Sequence, residues 1–330
     1  MFSSLVRPVT RSWLMLMLAG LLCGTAARAE TPLVFQMDLG VRNVQFAGLN
    51  WAEHHGWFEE ADIDLEVRRW ADGIESVAAE VVARPGTIGS SESGLYLAAV
   101  ADGQPIIAIG TMFQASPLGL ISLAETGIRS PADLKGKTVA VHGDGYEALA
   151  TMLDHAGVRA DAVNVIEATY GNEPLLAGEM DAKQGYVVDE FVKLQTEGHD
   201  VRVLPYKDYG HVAYSQVMFV SRETLEKHRA ELVTFLRVLD RGWRAATKDP
   251  AAGAALTIER FEPSLDFAYQ KTSLRGIIDL LWAESPVTSA MSPDTWAANA
   301  ETFRRTHPEA DLPPLSVWTD FSLVPEAAAR

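Results

Sequence analysis

Hydrophobic positions along the chain fall into two alternating rhythms. Short runs rich in Val, Ile and Phe are separated by longer stretches whose apolar residues recur every three or four positions, with Gly, Pro, Asp and Asn at the joins. Residues 33–37 read as a strand, 45–55 as a helix closed by Gly56, and 63–69 as a second strand. Residues 73–82 read as a helix, 86–89 as a short strand and 92–101 as another helix. Such strand-then-helix units predict a parallel sheet flanked by helices. Strand-like runs at 105–112 and 118–123 are separated by Gln114-Ala115-Ser116-Pro117, where the chain is expected to change domain.

Ser130-Pro131-Ala132-Asp133-Leu134 sets an N-cap serine before a proline, so a helical turn should precede the strand at 138–141. A helix at 146–156 stopped by Gly157, a strand at 163–167, a short helix at 173–177 and a strand at 181–188 follow. After strands at 201–204 and 216–220 the pattern turns helical, over 222–227, 230–247, 251–261, 267–282 and 293–306. The chain shows no internal repeat and no low-complexity linker, so two α/β lobes joined by strands are expected. We assign residues 30–115 and 217–330 to lobe 1, with the helical C-terminal region packing on it, and residues 116–216 to lobe 2. Hinges are expected at 114–118 and 207–214.

The first 29 residues follow a different logic. Arg7 and Arg11 precede the apolar run 13–22, and Ala27-Arg28-Ala29 supplies small residues for a signal peptidase. An apolar run of about ten residues is well short of the roughly 20 a membrane span needs. Residues 1–29 therefore read as a secretory signal cleaved after Ala29, placing the mature chain in the periplasm. The only cysteine, Cys23, follows Leu22, where lipoproteins carry a small residue, so cleavage is preferred to lipidation. The mature chain then has no cysteine for disulfides, thiolate catalysis or cysteine-rich metal sites. Cleavage also removes three arginines and no acid, making the net charge of −16 still more negative. Such a surface repels phosphate backbones and anionic lipid, which argues against nucleic-acid and membrane-surface partners.

Catalytic signatures are sparse. His54-His55 has no partner at helical zinc spacing, and in Gly89-Ser90-Ser91-Glu92-Ser93-Gly94 a serine replaces the second glycine of a nucleophile elbow. Phosphate loops, dinucleotide fingerprints and calcium loops are not found, so neither cofactor nor metal is expected. Five strands instead end in polar or aromatic turns, at 70–73, 90–92, 114–116, 142–146 and 186–190. In open parallel sheets ligands bind beyond the carboxyl ends of strands, so these turns are candidates for one cleft. They supply Trp70, Ser91, Glu92, Gln114, Tyr146, Tyr186 and Glu190, with the aromatic rings suited to stacking on a flat heterocycle. Asp144, ahead of the helix at 146, reads as its cap. Together with Glu147, next to the fourth, the turns contain six acids and no lysine or arginine, which predicts a neutral or cationic ligand.

Three ordered segments carry a family resemblance: LNWAEHHGWF at 49–58, ADGQPI at 101–106 and SPADLKGKTVAV at 130–141. They resemble the ABC-transporter periplasmic binding proteins for sulfonates, taurine and thiamine-pyrimidine precursors, over roughly residues 31–250. That resemblance implies a two-lobed venus-flytrap fold and a monomer that delivers a small molecule to an ABC permease and ATPase without turnover. Asn43, the segments 122–128 and 207–210, and Glu190 look like the pyrimidine-precursor branch, in which Asn43 and Glu190 would face the ligand. Asp189 stands where that branch has tryptophan, and Gln45-Phe46 where it has Asn-His. A sulfonate or taurine binder remains an alternative. So does an enzyme like the related fungal thiamine-pyrimidine synthases, which consume their own histidine and require a cysteine-rich motif. A sensor lobe would need a following membrane segment, and none is read after Ala29.

Overall fold

A computed structural model describes residues 31–143, 145–169 and 171–324. The expected signal segment with Cys23, and Asp144, lie outside them. The chain begins with β1 (Thr31–Gln36), α1 (Ala47–His54), β2 (Ile63–Arg68), α2 (Val77–Ala83), β3 (Thr87–Ser91), α3 (Ser93–Ala101) and β4 (Ile106–Phe113). It continues through β5 (Leu118–Leu123), β6 (Thr138–Val141), α4 (Tyr146–His155), β7 (Asn164–Glu167), α5 (Glu173–Leu176), β8 (Ala182–Tyr186), α6 (Glu190–Thr196) and β9 (Val201–Pro205). It ends with β10 (Ser215–Ser221), α7 (Arg222–Lys248), α8 (Pro250–Arg260), α9 (Phe267–Leu281), α10 (Pro293–Thr306) and α11 (Leu315–Trp318).

Two five-stranded sheets result, ordered β2-β1-β3-β10-β4 and β7-β6-β8-β5-β9. The expectation of parallel pairing holds for β2, β1 and β3, and β6 likewise runs parallel to β7 and β8, but β10 runs antiparallel to β3 and β4, and β5 antiparallel to β8 and β9. Each of these two strands enters its sheet directly after the chain has passed between sheets, over residues 114–117 and 206–214. β10 begins at Ser215, which pairs with Phe113 of the first sheet, one residue before the strand read at 216–220.

Alternation along buried strands sends neighbouring side chains to opposite faces. In β10, Met218 and Val220 join the core under α1, α7 and α9, whereas Val217 and Phe219 join the core under α2, α3 and α10. In the second sheet Leu118 and Leu120 face α4 while Ile121 faces α6. Both sheets are thus covered on both sides by helices, as mixed sheets in α/β proteins require.

The helical C-terminal region returns to the first lobe, as expected. Ser221, Asp249, Asp266 and Ser292 accept first-turn amide hydrogens and so start α7, α8, α9 and α10. The helices read separately at 222–227 and 230–247 are indeed two, joined across a kink where His228 has non-helical angles, and together they make up α7. α7 crosses α1 at very close range. A β-carbon on Gly242 would lie 2.1 Å from the Gly48 carbonyl oxygen, and one on Gly48 would lie 2.4 Å from the buried Trp243 ring. Because a backbone rather than a flexible tip blocks the position, Gly242→Ala should lower stability by about 1–3 kcal/mol, the usual range for overpacking. Chemical unfolding should show a reduced midpoint with an unchanged denaturant slope; a midpoint equal to wild type would mean that the helices separate freely.

Candidate functional site

The two sheets point several strand ends at a common cleft, which has two adjoining chambers. The inner chamber, about 400 Å³, is walled on one side by Asp38, Gln45, Glu92 and Gln216 of the first lobe. On the other side stand residues of the second lobe, including His142, Glu167, Gln184, Tyr186, Asp189 and Glu190. The outer chamber, about 950 Å³, shares Asp38, Leu39, Asp189 and Glu190 with it and adds Asn43, Trp70, Lys193 and Tyr269 among others. Pockets of about 300–1,000 Å³ are the usual size for small-molecule sites.

Side chains meet across the cleft at two seams. In the first, Glu92 follows β3 and is only 5% exposed. Its Oε1 accepts from the hydroxyls of Tyr186, at the end of β8, and Ser215, at the start of β10; those hydroxyls lie 3.0 Å apart. Burial, and then the Glu92 and Asp38 carboxylates, push the Tyr186 phenol well above its ordinary pKa, so it stays a donor. In the second seam, Asp189 Oδ2 accepts from Gln45 Nε2 at 2.6 Å and from Asn43 Nδ2 at 3.3 Å. Burial raises the Asp189 pKa to about 7, the Glu190 carboxylate adds to the rise, and the Gln45 hydrogen bond opposes it.

Glu190 begins α6, and its Oε2 accepts the Tyr186 amide at 2.8 Å. Gln216 Nε2 donates to Asp38 Oδ2 at 3.0 Å while its Oε1 accepts from the Ser90 hydroxyl. The Gln216 backbone is left-handed, φ +53°, inside a buried strand. For a residue other than glycine this carries strain of order 1–3 kcal/mol, a feature that concentrates at functional sites. Lys183, at 2% exposure in β8, lines neither chamber and donates to the Gly171 carbonyl at 2.6 Å.

The sequence-derived residues separate on this geometry. Glu92, Tyr186 and Glu190 line the inner chamber; Asn43, Trp70 and Glu190 line the outer one. Asn43 also caps a turn of 3-10 helix at Val44–Phe46. Ser91, Gln114 and Tyr146 line neither chamber. Ser91 is buried as the last residue of β3. Gln114 spends its amide on the distant loop after α9, donating to Val287 O and accepting from the Glu284 and Ser285 amides. Tyr146 is 40% exposed and donates to Glu167 Oε2 at 3.2 Å. At the start of α4 the N-cap position is Gly145. Asp38, Gln45, Gln184 and Gln216 were not among the candidates. Asp38 had a signal, since it lies just past the end of β1. Among the described residues, no three of His, Cys, Asp and Glu are placed to hold a metal ion, and no helix is long and apolar enough to cross a membrane.

Two mixed sheets facing across a ligand-sized cleft define the periplasmic-binding-protein fold. The periplasmic aliphatic sulphonate binding protein SsuA of Escherichia coli superposes with a TM-score of 0.70, covering 87% of this chain and 91% of that one at 16% identity. The chain belongs to the family described as NMT1/THI5 like, which it matches over residues 43–253. It is similar to a formylaminopyrimidine-binding protein of Halalkalibacterium halodurans, 27% identical over 62% of this chain and 64% of that protein, just under two thirds of its length. It is also similar to a 4-amino-5-hydroxymethyl-2-methylpyrimidine phosphate synthase of Legionella pneumophila, 27% identical over 68% of this chain and 73% of that protein.

A carboxyl whose pKa is raised by folding binds its proton more tightly in the folded state, so it subtracts stability as pH rises from its unfolded value towards about 7. Asp189→Asn removes that slope. Its melting temperature, measured against wild type, should therefore gain steadily between about pH 4.5 and about pH 7.5. A difference that stays constant with pH would show Asp189 to be ionised throughout.

Proposed function

We propose that this chain is the solute-binding component of an ABC importer, a periplasmic monomer that hands a neutral or cationic aromatic heterocycle to a membrane permease and ATPase. A thiamine-pyrimidine precursor is the favoured class. One observation carries the ligand class: five carboxylates, those of Asp38, Glu92, Glu167, Asp189 and Glu190, line the inner chamber and no lysine or arginine does. A sulfonate enclosed there would need a cationic partner, because a buried charge must be paired. Amino groups and protonated ring nitrogens are instead natural donors to such a wall. The formylaminopyrimidine-binding relative supports the same class. The two seams supply cross-lobe bonds of the kind that hold a closed flytrap.

The synthase relative favours a second reading, in which the chain turns over a pyrimidine precursor. Against it, the cysteine-rich motif that the related fungal synthases require has no counterpart in a sequence whose single cysteine is Cys23. A binder returns its ligand unchanged after incubation, and an enzyme does not.

Thermal-shift measurements on aminopyrimidines, flavins, taurine, alkanesulfonates and nitrate test the proposal. A ligand at about a hundred times its dissociation constant stabilises the native state by about 2.7 kcal/mol, a rise of several degrees in melting temperature. Aminopyrimidines should give that rise, and Glu190→Gln should weaken their binding roughly tenfold or more. Stabilisation by taurine or alkanesulfonates but by no heterocycle would reassign the chain to the sulfonate binders.

A further inference from the structure

Gln45 sits in the short turn that Asn43 caps, is 3% exposed, and lines the inner chamber. Its two amide ends are in opposite situations. Nε2 donates to Asp189 Oδ2 at 2.6 Å, whereas Oε1 is buried with no donor in reach. While Asp189 is ionised the amide gains nothing by turning over, since Oε1 would then face a carboxylate oxygen and the strong bond to Asp189 would be lost. Oε1 is therefore held in place as an acceptor. Leaving such a group unsatisfied costs about 1–3 kcal/mol, and in native proteins an exception of this kind calls for a reason. The charged groups around the chamber, Asp38, Glu92, Glu167, Asp189 and Glu190, are acceptors as well.

Building on the heterocycle-binding role proposed above, we propose that Gln45 determines specificity. Its Oε1 accepts one N–H from the ligand's amino edge while a neighbouring carboxylate accepts the second. The ligand class is thereby narrowed to heterocycles with two adjacent N–H donors, an amidine-like edge such as an amino group beside a protonatable ring nitrogen. An analogue with a carbonyl in place of the amino group sets oxygen against oxygen and is rejected. Discrimination of this kind is steep, because the wrong ligand leaves buried polar groups unpaired.

Calorimetry with two probes reads this directly: the hydroxymethyl aminopyrimidine of thiamine, and its oxo counterpart with carbonyl in place of the amino group. Wild type should prefer the amino probe by roughly 100-fold or more, and Gln45→Met, close in volume but without the acceptor, should reduce that ratio to roughly tenfold or less. The ratio is insensitive to general damage, which weakens both probes alike. Should the variant fail to fold, a dimethylamino analogue takes its place: lacking an N–H on the amino nitrogen, it should bind wild type about as poorly as the oxo probe. Equal binding of amino and oxo probes to wild type, or an undiminished ratio in Gln45→Met, would overturn the role of Gln45 and leave the heterocycle reading standing. Binding of taurine with no binding of either pyrimidine would instead sink the function on which it rests.

Discussion

A carboxylate taken out of water must be surrounded by donors, and the cleft is arranged around that requirement at Glu92. The acid follows β3 in the first sheet, yet one of its donors, Tyr186, comes from the second. The other, Ser215, is the residue with which the chain re-enters the first sheet. Three separate stretches of chain must therefore converge on one oxygen. β8 has to end opposite β3, and β10 has to begin between β3 and β4, for the acid to be satisfied. Asp189 repeats the arrangement nearby, drawing Asn43 and Gln45 from the first lobe onto a carboxylate of the second.

The same chemistry fixes what the cleft is able to hold. Carboxylates already supplied with donors from the protein leave a chamber rich in lone pairs. Lys183, close in sequence to Asp189 and Glu190, is turned towards Gly171 and Asn172, so it does not neutralise that surface from within. Burial lowers its pKa, while Glu190 and Glu173 act in the other direction. A guest bringing hydrogen atoms on nitrogen completes the pattern, and one bringing anionic oxygens opposes it.

Much of the fold was legible because each lobe is built from units whose periodicity is local. The strand of β1 and the helices α9 and α10 follow from the spacing of their apolar residues. Strand direction is not local information. β10 is buried along its whole length, so nothing in its seven residues distinguishes an antiparallel insertion from a parallel neighbour. That Glu92, Tyr186 and Glu190 would line a cleft was readable because polar residues at strand ends stand out. Gln114 met the same criterion yet lies outside both chambers, since the loop that covers it arrives about 170 residues later in the chain. Gln45 and Gln216 escaped for the opposite reason: one lies in a helix start and the other at a strand start, where a polar residue carries no special signal.

The helical C-terminal region touches the second lobe as well as the first. α9 packs against α6, with Val188 pressed towards Gly276, and α10 packs against α4, where Glu147 lies close to Gly94 and to His307. A body braced against another at two separated places keeps little freedom to slide or swivel, and what remains is rocking about the line that joins them. The helices beyond residue 222 thus serve the second lobe as a pair of bearings, although none of them belongs to it.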